Sequence, residues 1–114
     1  MSQTAPVERY YEAIDARDDE ALRAVLAPEF RHDRPDRTIE GRERFVAFMA
    51  DERPRTDTTH RLEGVFLPTA ADAGAAEVAV HGRLLGDDGE ELFGFVDLFT
   101  VVDGKILELE TFTA

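Results

Sequence analysis

The sequence predicts an α+β fold in which N-terminal helices pack over one face of a curved antiparallel sheet. Three observations carry this. Apolar residues recur at helical spacing through the first half of the chain, and with period two from about residue 58 onward. Two Asp-Gly pairs, Asp88-Gly89 and Asp103-Gly104, cut the second half into strands. A sheet with one apolar face needs a cover, and only the helices can supply it. A pocket between helices and sheet is a usual place for a ligand.

The elements follow in order. Residues 6–16 read as a helix, with Pro6 in its first turn and Val7, Tyr10, Tyr11 and Ile14 on one stripe. Asp18 is the expected N-cap of a second helix that buries Leu22, Val25 and Leu26 and ends at Pro28. Phe30 to Asp33 reads as a short strand before the polar turn Arg34-Pro35-Asp36-Arg37. A third helix is expected from about Gly41 to Asp51, burying Phe45, Phe48 and Met49, with Pro54 closing it. Thr58 to Leu67 alternates His60, Leu62, Gly64 and Phe66 against Arg61, Glu63, Val65 and Leu67. Thr69 to Ala75 is a loop, and Glu77 to Leu85 is a strand carrying Val78, Val80, Gly82 and Leu84 on one face.

The last strands are the most informative. Phe93, Phe95, Asp97, Phe99 and Val101 share one face. A carboxylate among phenylalanines is costly unless protonated, paired or used. Counting from the Asp88-Gly89 turn pairs Val80 with Asp97 and Gly82 with Phe95. Counting from Asp103-Gly104 pairs Phe99 with Glu108, Asp97 with Glu110 and Phe95 with Phe112. Two carboxylates about 5 Å apart at Cβ would share a proton over part of the pH range. A bulge or a one-residue slip would move Glu110 to the other face.

Composition narrows the function classes. The chain has 114 residues, the size of one domain spanning 1–114. The formal charge is −12, with one lysine against twelve arginines, so nucleic acid and anionic membranes are poor partners. That charge is either a plain solvated surface or an adaptation to a high-salt cytoplasm. Lysine depletion fits the second, and equally a GC-rich genome. There is no cysteine, which excludes disulfides and thiol chemistry. No apolar run spans a bilayer and no leader is visible, so a cytoplasmic location is expected. Three histidines without ligand spacing argue against a metal. No glycine-rich phosphate loop or serine elbow is present, so no cofactor is expected.

Four segments together resemble the NTF2-like superfamily, and within it the SnoaL-like, polyketide-cyclase-type branch. They are Arg9-Tyr10-Tyr11 through Asp18 with Ala21-Leu22, Phe30-Arg31-His32-Asp33, Gly41 through Phe45, and Asp97 through Ile106. The resemblance covers nearly the whole chain. It implies the NTF2-like cone, with helices over the concave face of the sheet. It also implies an aspartate on the long strand as the acid of a cofactor-independent cyclisation, a position Asp97 matches. His32 resembles a histidine that points into the pocket. Steroid isomerases of the same superfamily offer a second comparison, in which Tyr10 and Asp97 match two oxyanion donors. Their base falls on Arg34, before Pro35, and a guanidinium cannot serve as a base. Asp33 is one residue away and should face oppositely.

The candidate catalytic residues are therefore Asp97, His32 and Tyr10, with Tyr11, Phe95, Phe99, Glu110 and Phe45 around the substrate pocket. His60 reads as a satisfied half-buried histidine, His81 as outside the pocket, and Arg34 and Arg37 as surface residues. The first functional expectation is a cyclase- or isomerase-type enzyme acting on a small apolar carbonyl compound. The alternatives are a non-catalytic module for a hydrophobic ligand and a protein-interaction domain. Val96, Leu98 and Leu109 are expected on the outer sheet face, covered by a second copy in a homodimer.

Overall fold

The computed structural model describes residues 4–52, 57–67 and 75–113. Three helices lie over a curved, unclosed six-stranded sheet. Helix α1 (Ala5–Ala16) buries Val7, Tyr10, Tyr11 and Ile14, the expected stripe. Arg17 stops it in the left-handed conformation, at φ 56°. Asp18 caps α2 (Asp19–Val25) by accepting the Ala21 N–H at 3.1 Å. Lys105, at the far end of the chain, donates to the Ala24 carbonyl and satisfies the other end of the same helix.

Helix α2 ends before Pro28, because Leu26 is already extended. Strand β1 therefore runs Leu26–Asp33, longer than expected. Pro28 falls where its pairing to the neighbouring strand lapses between Leu26 and Arg31, so its missing N–H breaks no ladder bond. A short strand β2 (Thr38–Glu40) pairs back onto β1 and was not legible in the sequence. Helix α3 (Arg42–Ala47) runs on into a π-helical turn, Phe48–Glu52. The expected stop at Pro54 and most of the expected 69–75 loop lie outside the described residues.

Strands β3 (Thr59–Phe66), β4 (Ala75–Leu85), β5 (Glu91–Val102) and β6 (Lys105–Thr113) complete the sheet, in the order β2-β1-β6-β5-β4-β3. The sheet is mixed rather than wholly antiparallel, since β1 and β6 run parallel. These strands come from opposite halves of the chain, and no hairpin turn forces them to oppose one another.

The β4–β5 register is the expected one, with Val80 opposite Asp97 and Gly82 opposite Phe95. A Cβ on Gly82 would stand 2.7 Å from both the Arg61 carbonyl and the Phe95 ring, so glycine here lets that ring lie flat on the strand. The β5–β6 register begins as expected, with Val101 opposite Ile106, across a turn whose Asp103 and Gly104 have φ of 50° and 78°. It then shifts. Thr100 faces Glu108, which leaves Leu107 as an extra residue and moves everything beyond by one. Leu109 is consequently buried on the inner face, not exposed on the outer one. A similar shift at Glu63 in β3 sends Phe66 to the outer face, away from His60 and Leu62.

Candidate functional site

Between the helices and the inner sheet face lies a cavity of about 270 Å³. Its apolar wall includes Ile14, Met49, Leu84, Leu92 and Phe95, and its polar lining includes His32, Arg34, His60, Asp97 and Thr111.

Asp97 is 5% exposed, on the inner face of β5. Two hydroxyls hold its carboxyl. Tyr11 Oη donates to Oδ2 at 2.6 Å, and Thr111 Oγ1 donates to Oδ1 at 2.6 Å. Burial raises the Asp97 pKa above the usual carboxylate value; the Thr111 and Tyr11 hydrogen bonds, then the more distant His60 and Arg34, pull the other way without cancelling it. Tyr11 itself is pushed upward by burial and by the neighbouring Asp97, so its proton stays on as a donor.

His32 stands behind Thr111, its Nε2 2.8 Å from Oγ1. The hydroxyl has one proton, and in that arrangement it points at Asp97. Nε2 must then be the protonated nitrogen, donating to Oγ1. Nδ1 is buried and has no hydrogen-bond partner among the described residues. A bare lone pair is the cheaper orphan, since unpaired buried N–H groups are the rarer defect. Burial, and then Arg34, push the His32 pKa down to about 3, so the ring is neutral at physiological pH. The chain His32–Thr111–Asp97–Tyr11 therefore fixes the carboxyl from both sides.

A second cluster reaches the cavity from its other side. Asp15 is one turn after Tyr11 on α1, so both share a helix face. Asp15 Oδ1 lies 2.6 Å from His60 Nδ1, and Oδ2 accepts the His60 backbone N–H at 3.1 Å. The His60 ring packs 5.0 Å from Tyr11 and 5.7 Å from Phe95, centroid to centroid. Arg34 also lines the cavity, with its guanidinium 5.1 Å above the Phe48 ring and its Nε 3.4 Å from Asp36. Asp33 points elsewhere, bonded to Arg31 and Thr38.

The structure thus brings Asp97, His32, Tyr10 and Phe95 to one cavity. Tyr11, and not Tyr10, is the tyrosine bonded to Asp97; Tyr10 lines the cavity and stacks at 6.3 Å on Phe45. Phe45 and Phe99 are fully buried core residues behind that wall. Glu110 does not pair with Asp97. It faces Leu98 on the outer side and is exposed, because the extra Leu107 places Thr111 opposite Asp97 instead. Sequence reasoning missed Thr111, for want of any signal for the bulge. It also missed Asp15, whose spacing from Tyr11 was a usable signal. Arg34, read as a surface residue, is at the cavity. Among the described residues no group of three or more His, Cys, Asp or Glu side chains could hold a metal ion, and no helix is long and apolar enough to cross a membrane.

The SnoaL-like domain family matches residues 7–109. The chain belongs to that family. Solved structures agree on the fold of this SnoaL-like domain. A candidate ketosteroid isomerase from Kribbella flavida is 26% identical, with a TM-score of 0.76 over 98% of this chain and 77% of that one. A candidate SnoaL-like polyketide cyclase from Jannaschia sp. is also 26% identical, with a TM-score of 0.72 over 97% and 84% of the two chains. The Orange Carotenoid Protein of Anabaena (Nostoc) sp., in a structure binding canthaxanthin, is 20% identical with a TM-score of 0.80; the match covers 94% of this chain but 35% of that one. Among curated proteins nothing matches.

Proposed function

We propose that this SnoaL-like domain carries out cofactor-independent acid/base chemistry on a small apolar carbonyl compound, with Asp97 as the central acid. The observation that carries it is a buried carboxyl lining a mostly apolar cavity, held by two hydroxyl donors and shifted toward its protonated form. In the protonated state Asp97 can give a hydrogen bond or a proton to a carbonyl oxygen. As that proton leaves, Tyr11 and Thr111 are already placed to stabilise the carboxylate. His32 orients Thr111, and Tyr10 supplies part of the wall. At about 270 Å³ the cavity is just below the usual range for ligand pockets, about 300–1,000 Å³, which favours a one- or two-ring compound. Cyclisation and double-bond isomerisation both need such a group at a carbonyl oxygen.

The test is enolisation. With 2-tetralone in D₂O, the protein should accelerate hydrogen–deuterium exchange beside the carbonyl, read by NMR. Asp97→Asn should lower that rate by about 10²-fold or more. Exchange no faster than in buffer, or an unaffected Asp97→Asn variant, would sink the reading. The second reading is binding without chemistry, favoured by the carotenoid-binding relative; it predicts thermal stabilisation by apolar ligands with no exchange.

The outer sheet face supports a homodimer. Val96, Leu98, Phe112 and Phe66 are 37–58% exposed there. Sedimentation in enough salt to screen the −12 charge should show a dimer; a monomer at micromolar concentration would count against it.

A further inference from the structure

We infer that His60, clamped by Asp15, is the cavity's carbon base, taking a proton from carbon while Asp97 serves the oxygen. This rests on the acid/base reading above and adds the partner that reading lacks.

A carbonyl acid alone does not enolise a substrate quickly; something must accept the carbon-bound proton. Among the described residues lining the cavity, Asp97 is the only carboxylate, and it is occupied by Tyr11 and Thr111. Arg34 is a cation and cannot accept a proton. His32 has committed Nε2 to Thr111, and its Nδ1 is buried away from the cavity surface. His60 remains. Asp15 offers only acceptors, so the proton on Nδ1 is fixed by the 2.6 Å contact to Oδ1, which leaves Nε2 with its lone pair. The bond from the His60 backbone N–H to the other oxygen of Asp15 locks the pair's orientation. This is a base oriented by a third group, the arrangement that activates imidazoles elsewhere.

The electrostatics close consistently. In the forward step the α-carbon–hydrogen bond breaks and its proton goes to His60 Nε2. The electron pair forms a carbon–carbon double bond, and the carbonyl π pair moves to oxygen, which takes the Asp97 proton. A neutral pair becomes imidazolium and carboxylate. Asp15 already faces the first, and Tyr11 and Thr111 already face the second. When a solvent deuteron replaces that proton on Nε2 and is delivered to the same carbon, with the enol proton returning to Asp97, the result is exchange; delivery to another carbon gives isomerisation.

The experiment is 2-tetralone exchange in D₂O with the wild type, His60→Ala, Asp15→Asn and Asp97→Asn. His60→Ala should lose about 10²-fold or more in kcat with KM little changed, and added imidazole should restore part of the rate. Asp15→Asn should lower kcat by about tenfold or more, again with KM held, as expected of a positioning residue. If His60→Ala stays within about threefold of the wild type while Asp97→Asn is inert, the assignment of His60 is wrong and the acid/base reading survives. If His60→Ala loses 2-tetralone binding in proportion to rate, His60 is wall and the assignment is equally wrong. A wild type with no exchange at all overturns both.

Discussion

Two histidines line the same cavity and differ in almost every respect that matters. His32 is 5% exposed, neighbours Arg34, and among the described residues has the Thr111 hydroxyl as its hydrogen-bond partner. Its surroundings oppose a positive charge, and it is held neutral. His60 is only half-buried and sits against a carboxylate that grips both its ring and its backbone. Its ring Nδ1 faces a carboxylate oxygen at 2.6 Å. The role of each histidine is set by its second neighbour. Behind His32 stands a chain that ends on Asp97 and fixes that acid; behind His60 stands an acceptor that can follow a proton.

The largest effect that would break this contrast concerns acid stability. The His32 pKa is lowered from 6.5 to about 3 in the folded protein. A depressed folded value on a histidine means stability that is present above about 6.5 and lost as pH falls toward 3. The expected slope is about 1.4 kcal/mol per pH unit, or about 3 kcal/mol by pH 4.5. Asp97 acts in the opposite sense: its raised folded value gives stability that is full below the unfolded value of 3.8 and lost as pH rises through the folded one. His32→Gln can still donate to Thr111 but cannot be protonated, so its melting temperature should fall less steeply with acid between pH 6.5 and 4. It should also keep 2-tetralone exchange within about tenfold of the wild type, unlike His60→Ala. Equal acid slopes in the two proteins would show that His32 is not held neutral.

A smaller effect sharpens the same contrast. Thr111→Val keeps the shape and cuts the link between His32 and Asp97. It should cost about 1 kcal/mol in denaturant unfolding and raise the Asp97 pKa further, because a donor to the carboxylate is lost. The His60–Asp15 pair should not notice.

The sequence carried some parts of this site and not others, for physical reasons. The β4–β5 pairing was legible because a turn with the right residues sets a register that then persists to Asp97. The β5–β6 pairing started equally well and was lost at Leu107, since nothing in an apolar strand marks where one residue will bulge. That one residue exchanged Glu110 for Thr111, turning an expected carboxylate pair into a carboxyl with a hydroxyl donor. Leu109 moved from the outer face to the core for the same reason. The parallel β1–β6 contact, which delivers His32 to Thr111, is non-local and has no turn to announce it. The stripe of α1 was plain, and with it the tyrosines. Asp15 lay on the same helix face but reads as an ordinary polar residue until β3 brings His60 against it.

Asp97, buried on the inner sheet face, should hold its proton more tightly than an ordinary aspartate. Carboxyl ¹³C NMR of the wild type and Thr111→Val, followed through a pH titration, tests it most directly. The Asp97 midpoint should lie above the usual carboxylate value of 3.8, and higher again in Thr111→Val. An Asp97 that titrates at or below that value in both proteins would contradict it.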